Sequence, residues 1–238
     1  MTGISPELMA QIKPIFSSPL PANRVGKDWW SSSQKLNLEK FITSLIIVSP
    51  PYLAVFMIAM GVNYLVNGSP TMVNIDLYHP HYGHFSKKKF RSMEIDAHNK
   101  EWELVKKNGG LHKVKEGHDP RINKLGRILR ATSVDEFPQL FNVLDESTAL
   151  VGPRSFGIPE YELVLLPNMH RQPYKKYLAN LADGVKVGVT GLAPTIDRHL
   201  SPEDRMTVEN YWVENCTVWS DLNILARTAL IPIRSNGV

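Results

Sequence analysis

Residues 131–155 read ATSVDEFPQLFNVLDESTALVGPRS, and within them Asp135 and Glu136 stand side by side. Adjacent carboxylates repel and raise each other's pKa, so such a pair calls for positive charge nearby. Lys89, Arg91, Arg127, Arg130 and Arg154 bracket it in sequence. Arginine grips phosphate in a bidentate fork and keeps its charge at any physiological pH. Gly152-Pro153-Arg154 is a tight turn that would present one guanidinium rigidly. Together these residues describe a site for a phosphate or diphosphate with a divalent cation, which would bridge carboxylate and phosphate oxygens. In such a site Asp135 is available as a nucleophile and Glu136 as a metal ligand. The plainer alternative is that the acids only cap a helix and the basic residues are solvated surface charges.

The elements that must position these groups are partly visible. RINKLGRILRAT spaces Ile122, Leu125, Ile128 and Leu129 as one helical face. A second helix is expected after Thr132, running through Leu144. Two registers fit its start. Ser133 caps with Glu136 three residues on, as a capping box, or Asp135 is itself the cap. Either register puts both acids in the first turn, where the helix dipole favours their ionised forms. KKFRSMEIDA begins like a short strand. Residues 97–118 are polar with a loop at Gly109-Gly110, and residues 184–200 read as loop and short strand. Ser201 and Pro202 open a further helix with two acids in its first turn. A last helix is expected from about Asp221 to Ile231.

Upstream lies one long apolar run, FITSLIIVSPPYLAVFMIAMGVNYLV, residues 41–66, with no charged residue. At ~1.5 Å per residue a helix of that length reaches across a hydrocarbon core of ~30 Å. Ser49-Pro50-Pro51 interrupts it, and two prolines break or kink a helix. The freed carbonyls need partners that lipid cannot supply, and Ser49 is placed to cap one. Lys35 and Lys40 precede the run, and Lys87, Lys88, Lys89 and Arg91 follow it. Basic residues on both sides favour a helix–break–helix that enters and leaves by one face, over a full crossing or a buried soluble hairpin. Residues 1–34, rich in Pro and Ser, read as a loose arm ending in Trp29-Trp30. That pair fits either a membrane interface or a local apolar contact.

The 238-residue chain is 43% hydrophobic and 21% charged, which excludes a disordered chain and a polytopic membrane protein. A net charge of +4 and a pI near 9.1 suit an anionic partner. The single Cys216 excludes an internal disulfide framework. No signal peptide is expected from the first residues.

Several blocks carry a resemblance. FRSM at 90–93, GRILRATSVDEFPQLFNVL at 126–144 and LVGPRS at 150–155 resemble the core motifs of the bacterial sugar transferases, the monotopic polyprenyl-phosphate phosphoglycosyl transferases. The apolar run with its Ser49-Pro50 break is similar to that family's re-entrant membrane helix. VGVTG at 187–191 resembles its Pro-Gly-Ile-Thr-Gly segment, and residues 211–230 resemble its C-terminal block. The match covers about residues 35–232.

The resemblance implies an α/β fold, mostly helical and mixed α+β. It would comprise an N-terminal arm (1–34), a re-entrant membrane helix (35–70) and a small cytoplasmic catalytic domain with interfacial amphipathic helices (71–238). It would be a short form without a polytopic N-terminal bundle, on the cytoplasmic face of a bacterial inner membrane. The implied reaction moves a sugar-1-phosphate from a UDP-sugar to a polyprenyl phosphate, releases UMP and needs Mg²⁺. Asp135 would attack the sugar-bearing phosphorus and form a covalent phosphosugar-enzyme. Glu136 would hold the Mg²⁺. Lys89, Arg91, Arg154 and Arg130 would bind phosphates, with Arg127 and Pro153 in the same shell. The implied partners are the UDP-sugar, the polyprenyl phosphate, a lipid bilayer and possibly a second copy of the chain, but no nucleic acid.

The chain also departs from the family. GSPTMVNIDLYHPHYGHF at 68–85 replaces Gly-Pro-Val-Phe-Phe and Gln-x-Arg-x-Gly, with His81-Tyr82-Gly83 where an arginine is usual. Glu146-Ser147-Thr148 stands for Gly-Asp-Met, Val187 for a proline, and Ile196-Asp197-Arg198 for Asn-Gly-Arg. A non-catalytic membrane scaffold and a cytosolic metal-dependent phosphohydrolase are the competing readings. A metal site at His79, His81 and His84 is a weaker one, since their loop lacks acidic partners.

Overall fold

The computed structural model describes residues 4–17, 25–97, 99–108, 119–197 and 200–234. The expected loop at Gly109-Gly110 and the residue Arg198 lie outside them.

Ser5 caps helix α1 (Pro6–Phe16) by accepting from the Leu8 amide at 3.3 Å. Leu8, Ile12 and Ile15 of α1 and Trp29 of α2 (Lys27–Trp30) are buried in the largest core, with Leu192, Val208, Trp212 and Ile224. The described part of the arm is thus packed rather than loose. The helical spacing of Leu8, Ile12 and Ile15 lies hidden within its Pro- and Ser-rich composition. Trp29 donates to Asp221 at 2.8 Å, so for this residue the local contact replaces a membrane interface.

Ser32 caps α3 (Ser33–Val48) through the Lys35 amide at 3.1 Å. Pro50 then opens α4 (Pro50–Asn67) after the break at Ser49. The Ser49 hydroxyl donates to the Ile46 carbonyl at 2.7 Å, and its amide does so at 3.1 Å, closing the break internally. Among the described residues α4 alone is long and apolar enough to cross a membrane by length and composition, with only 17% of its 18 residues buried. Its outer face exposes Met57, Ile58, Val66 and Leu65, the last at 83%. Its inner face packs Tyr52, Phe56 and Ala59 on Phe137, Phe90 and Leu129. Both ends of the pair reach the same body. Lys35 donates to the Val151 carbonyl at 3.0 Å, and Asn63 donates to the Arg91 carbonyl at 2.7 Å.

Strands β1 (Met72–His79) and β2 (Gly83–Phe90) form an antiparallel hairpin, with Met72 opposite Phe90 and His79 opposite Gly83. There follow α5 (Asn99–Asn108), α6 (Lys124–Ala131), a 3-10 segment Val134–Gln139 and α7 (Leu140–Leu144). Strand β3 (Ala149–Val151), α8 (Ile158–Glu160), α9 (Tyr174–Ala182) and the parallel partner strand β4 (Gly188–Thr190) come next. Helices α10 (Leu192–Ile196), α11 (Pro202–Asn215) and α12 (Val218–Arg234) complete the order. Ser201 caps α11 as expected, accepting from the Asp204 amide at 3.1 Å. Ile128, placed on the apolar face of α6 by its spacing, is instead 63% exposed. Asn142 of α7 closes one edge of β2, accepting from the Lys88 amide at 2.9 Å and donating to the Ser86 carbonyl at 3.0 Å.

The altered segment 68–85 therefore supplies the outer strand and the hairpin tip, and the tip docks beyond α9. His79 Nε2 lies 2.9 Å from the Val185 carbonyl, His81 Nδ1 lies 2.9 Å from that of Ala182, and Tyr82 donates to that of Gly184 at 3.0 Å. These histidines serve backbone carbonyls, and no cluster of three His, Cys, Asp or Glu suited to a metal occurs among the described residues. Lys89 lies six residues along β2 from the tip, roughly 20 Å at the usual strand rise.

Candidate active site

Helix α6 begins at Asn123, which accepts from the Gly126 amide at 2.7 Å. Gly126 is required there, since a Cβ at that position would collide with the Ser92 carbonyl. The helix ends at Thr132, and Ser133 takes a left-handed conformation with φ 57°. That turn redirects the chain into the 3-10 segment that carries the acid pair. Ser133 makes no side-chain cap, and Asp135 lies inside the segment, so neither capping register forms. The expected single helix is thus a 3-10 segment followed by α7, with Pro138 inside the former. Tyr52 of α4 anchors this segment by donating to the Phe137 carbonyl at 3.1 Å and stacking on its ring.

The two carboxylates have different surroundings. Asp135 is 3% exposed. Its carboxyl is pushed up to about 6, first by burial and then by Glu136, against the pull of Lys89 and Arg130. The Glu136 side chain is 40% exposed. Burial would raise its pKa too, but the charge and hydrogen bond of Lys89, with Lys87 and Arg154 beyond, drive it down. Lys89 straddles the pair, with Nζ 2.7 Å from Glu136 Oε1 and 3.9 Å from Asp135 Oδ2. The strand places Lys89 there because the hairpin packs along the 3-10 segment.

Of the expected phosphate ligands, the structure gathers Lys89, Arg130 and Arg154. Arg130 donates to Ser92 at 3.0 Å, and Asp135 is the carboxylate that most favours its charge. Arg154 is exposed, and its charge reaches Glu136 and Lys87. Pro153 is buried, with its carbonyl accepting from the Gly188 amide at 2.9 Å. The turn fits because Gly152 and Gly188 lie in close backbone contact, where a Cβ on either would collide. Arg127 is exposed on α6 and forms no ion pair among the described residues. Arg91 is turned elsewhere. It is buried, and its guanidinium holds the carbonyls of Asn67, Gly68 and Ser69, where α4 ends. Those carbonyls need donors at a helix C-terminus, and this one receives a charged one.

Lys87 is a further cation that sequence reasoning missed as a site residue. It lies on the same strand face as Lys89, two residues before it, and period-two alternation on β2 is the signal that could have found it. It is 5% exposed and donates to the Gly188 carbonyl at 2.7 Å. Burial pushes its ammonium down to about 7, against the pull of Glu136. A folded pKa below the unfolded one means the unfolded chain binds more protons between about pH 7 and 10.5. Lys87 therefore destabilises the fold most at and below pH 7, and less as pH rises. Lys87→Met is expected to raise Tm by about 2–4 °C at pH 7. Thermal melts at pH 7 and pH 9.5 check this, with a smaller gain expected at the higher pH.

A cleft beside Arg154 is lined by Arg205, Phe156, Tyr174 and Glu160 as well, but it holds only about 20 Å³. That is room for about one water, too little for a nucleotide-sized ligand. The donor set suits Mg²⁺, which keeps several waters and takes one or two carboxylates plus substrate phosphates. Glu136, ionised and half exposed, would hold it. Buried Asp135 is left as a desolvated carboxylate, and carboxylates are competent covalent nucleophiles.

Residues 33–235 match the family described as bacterial sugar transferase. The undecaprenyl-phosphate galactose phosphotransferase of Salmonella typhimurium is 32% identical over 203 residues, covering 82% of this chain and 39% of that protein. The UDP-glucose:undecaprenyl-phosphate glucose-1-phosphate transferase of Klebsiella pneumoniae is 30% identical over 237 residues, 91% of this chain and 42% of that one. The exopolysaccharide production protein ExoY of Sinorhizobium fredii is 29% identical over 206 residues, 82% of this chain and 83% of that one. The chain thus spans well under half the length of the first two. With the match extending over most of its length, the chain belongs to the bacterial sugar transferase family.

Proposed function

We propose that this protein transfers a sugar-1-phosphate from a UDP-sugar to a polyprenyl phosphate at a membrane surface, as a membrane step of exopolysaccharide or glycoconjugate synthesis. The observation that carries the reading is the division of the acid pair. One lysine contacts a buried carboxylate and a half-exposed, firmly ionised one. A buried carboxylate of reduced solvation attacks phosphorus, and an exposed ionised one binds a cation. The relatives point the same way: both are named for undecaprenyl phosphate, and the Klebsiella pneumoniae protein also for UDP-glucose.

In this account an Asp135 oxygen attacks the sugar-bearing phosphorus. The bond from that phosphorus to the bridging oxygen breaks, and UMP leaves. An oxygen of the polyprenyl phosphate then attacks the same phosphorus and frees the Asp135 carboxylate. Lys89 and Arg154 neutralise the charge on the transferred group throughout, which is where much of the rate arises. Mg²⁺ at Glu136 would supply further charge neutralisation at the diphosphate.

The acceptor's phosphate sits at the bilayer surface, and the helix pair α3–α4 would hold the site at that depth. Support for a re-entrant pair comes from its capped break, its exposed apolar face and the contact of both ends with one body. Single cysteines at residues 34 and 68 are expected to label from the cytoplasmic side only. Labelling of one from each side would overturn the re-entrant arrangement. The intact acid pair with Lys89 and Arg154 weighs against a non-catalytic scaffold.

The reaction is tested by nucleotide release from a panel of UDP-sugars, with purified protein, undecaprenyl phosphate and Mg²⁺. The expected result is UMP from at least one donor, in amounts that depend on Mg²⁺. No UMP from any UDP-sugar, with folded protein, would contradict the proposal.

A further inference from the structure

We propose that helix α3 acts as an outer strand for β3, so that Lys35 and Glu39 are positioning residues for the Gly152-Pro153-Arg154 turn. They would couple the membrane helix to phosphate binding. The last clause rests on the function proposed above, while the first stands on geometry alone.

Strand β3 is paired with the β4 segment on both sides of Val151: the Ala149 amide donates to Val187 at 2.9 Å and the Gly152 amide to Thr190 at 3.0 Å. Between them, Val151 turns to α3. Its amide donates to Glu39 Oε1 at 2.9 Å, and its carbonyl accepts from Lys35 Nζ at 3.0 Å. Buried backbone groups must be paired, and here both partners come from one helix. Lys35 and Glu39 stand four apart, on one face of α3, and bond each other at 2.7 Å.

The same lysine is fully committed. Its third proton goes to Asp221 of α12 at 2.7 Å, and Asp221 also accepts from Trp29 at 2.8 Å and Trp212 at 2.9 Å. Five elements thus meet at one buried cation: α2, α3, β3, α11 and α12. Well-packed apolar residues often hold helices as firmly as a buried ion pair does. What this network adds is register, because only one position of α3 satisfies both groups of Val151.

The link from Val151 to Arg154 has little slack. The Gly152 amide and the Pro153 carbonyl are bonded to β4, and Tyr177 donates to the Arg154 carbonyl. At its other end α3 runs into the exposed apolar residues Phe41, Leu45 and Val48. How α3 sits in lipid therefore bears directly on where the Arg154 turn sits.

The test uses the full chain in lipid nanodiscs with Glu39→Met, Glu39→Gln and Arg154→Ala. Glu39→Met keeps the stem but removes the acceptor, and Lys35 remains balanced by Asp221. Hydrogen exchange in 149–154 is expected to speed up by about tenfold or more in Glu39→Met relative to the rest of the chain, and to be restored in Glu39→Gln. The KM for the UDP-sugar is expected to rise about tenfold with little change in kcat, and the effect is not additive with Arg154→Ala. A general loss of packing would lower Tm without either signature. Exchange in 149–154 no faster than elsewhere, or additive effects on KM, would overturn the proposal. If Glu39→Met does not fold, Glu39→Asp shortens the reach while keeping the charge, and it carries the same expectations. Should the unmodified protein release no UMP, the proposed function and the coupling to phosphate binding fail, and the exchange comparison still decides whether α3 holds β3 through Glu39.

Discussion

Asp135→Asn is expected to reduce UMP release by about 10³-fold or more, since removal of a covalent nucleophile is among the costliest changes an enzyme can suffer. The amide fills the same volume and keeps an oxygen toward Lys89, so the loss reflects chemistry rather than shape. Stability is expected to move the other way. Burial and the adjacent Glu136 both disfavour the Asp135 carboxylate, and a neutral amide relieves both. Tm should therefore hold or rise as activity vanishes. A melt beside the nucleotide assay reads both. An Asp135→Asn protein that kept more than about a tenth of the activity would move the nucleophile elsewhere.

Glu136→Gln is expected to cost about 10²–10³-fold in kcat/KM, in the range seen when one charge-stabilising group is removed. Its signature differs from that of Asp135→Asn. Glu136 is held ionised and half exposed, so its loss should appear in the Mg²⁺ titration, with the half-saturating concentration raised about tenfold or more. Lys89 then keeps an amide oxygen at 2.7 Å but loses the charge there, and Asp135 becomes its one carboxylate neighbour of the pair. That would hold Asp135 ionised more firmly, so high Mg²⁺ should recover part of the activity. A Mg²⁺ dependence identical to that of the unmodified protein would exclude Glu136 as the ligand.

Much of this site was legible because its chemistry is local. The acid pair, the Gly152-Pro153-Arg154 turn and the break at Ser49-Pro50 are each set by adjacent residues, and each occurs where its sequence put it. What could not be read depended on packing between distant segments. Ser133 has a side chain suited to capping, yet the close approach of Gly126 to Ser92 and the stacking of Phe137 on Tyr52 direct the chain into a left-handed turn there. Arg91 follows Phe90 in a run of basic residues, and its sequence neighbours give no sign that its guanidinium caps α4. Trp29 looked amphipathic because Lys27 and Lys35 flank it, while its true partner, Asp221, lies 192 residues away. Segment 68–85 departs from the family's pattern, with His81-Tyr82-Gly83 where an arginine is usual. The strand register carries His81 to the far end of the hairpin, so reverting His81 is not expected to alter the chemistry at Asp135.

The most direct test of the account is to trap the covalent species. Protein would be mixed with a UDP-sugar that supports UMP release, with Mg²⁺ but without polyprenyl phosphate, then quenched and digested for mass spectrometry. The account predicts one sugar-phosphate adduct on the peptide containing Asp135, formed with a stoichiometric burst of UMP and discharged when polyprenyl phosphate is added. Asp135→Asn should show neither adduct nor burst. UMP release only in the presence of the acceptor, with no adduct on any peptide, would contradict it and indicate direct transfer between the two substrates.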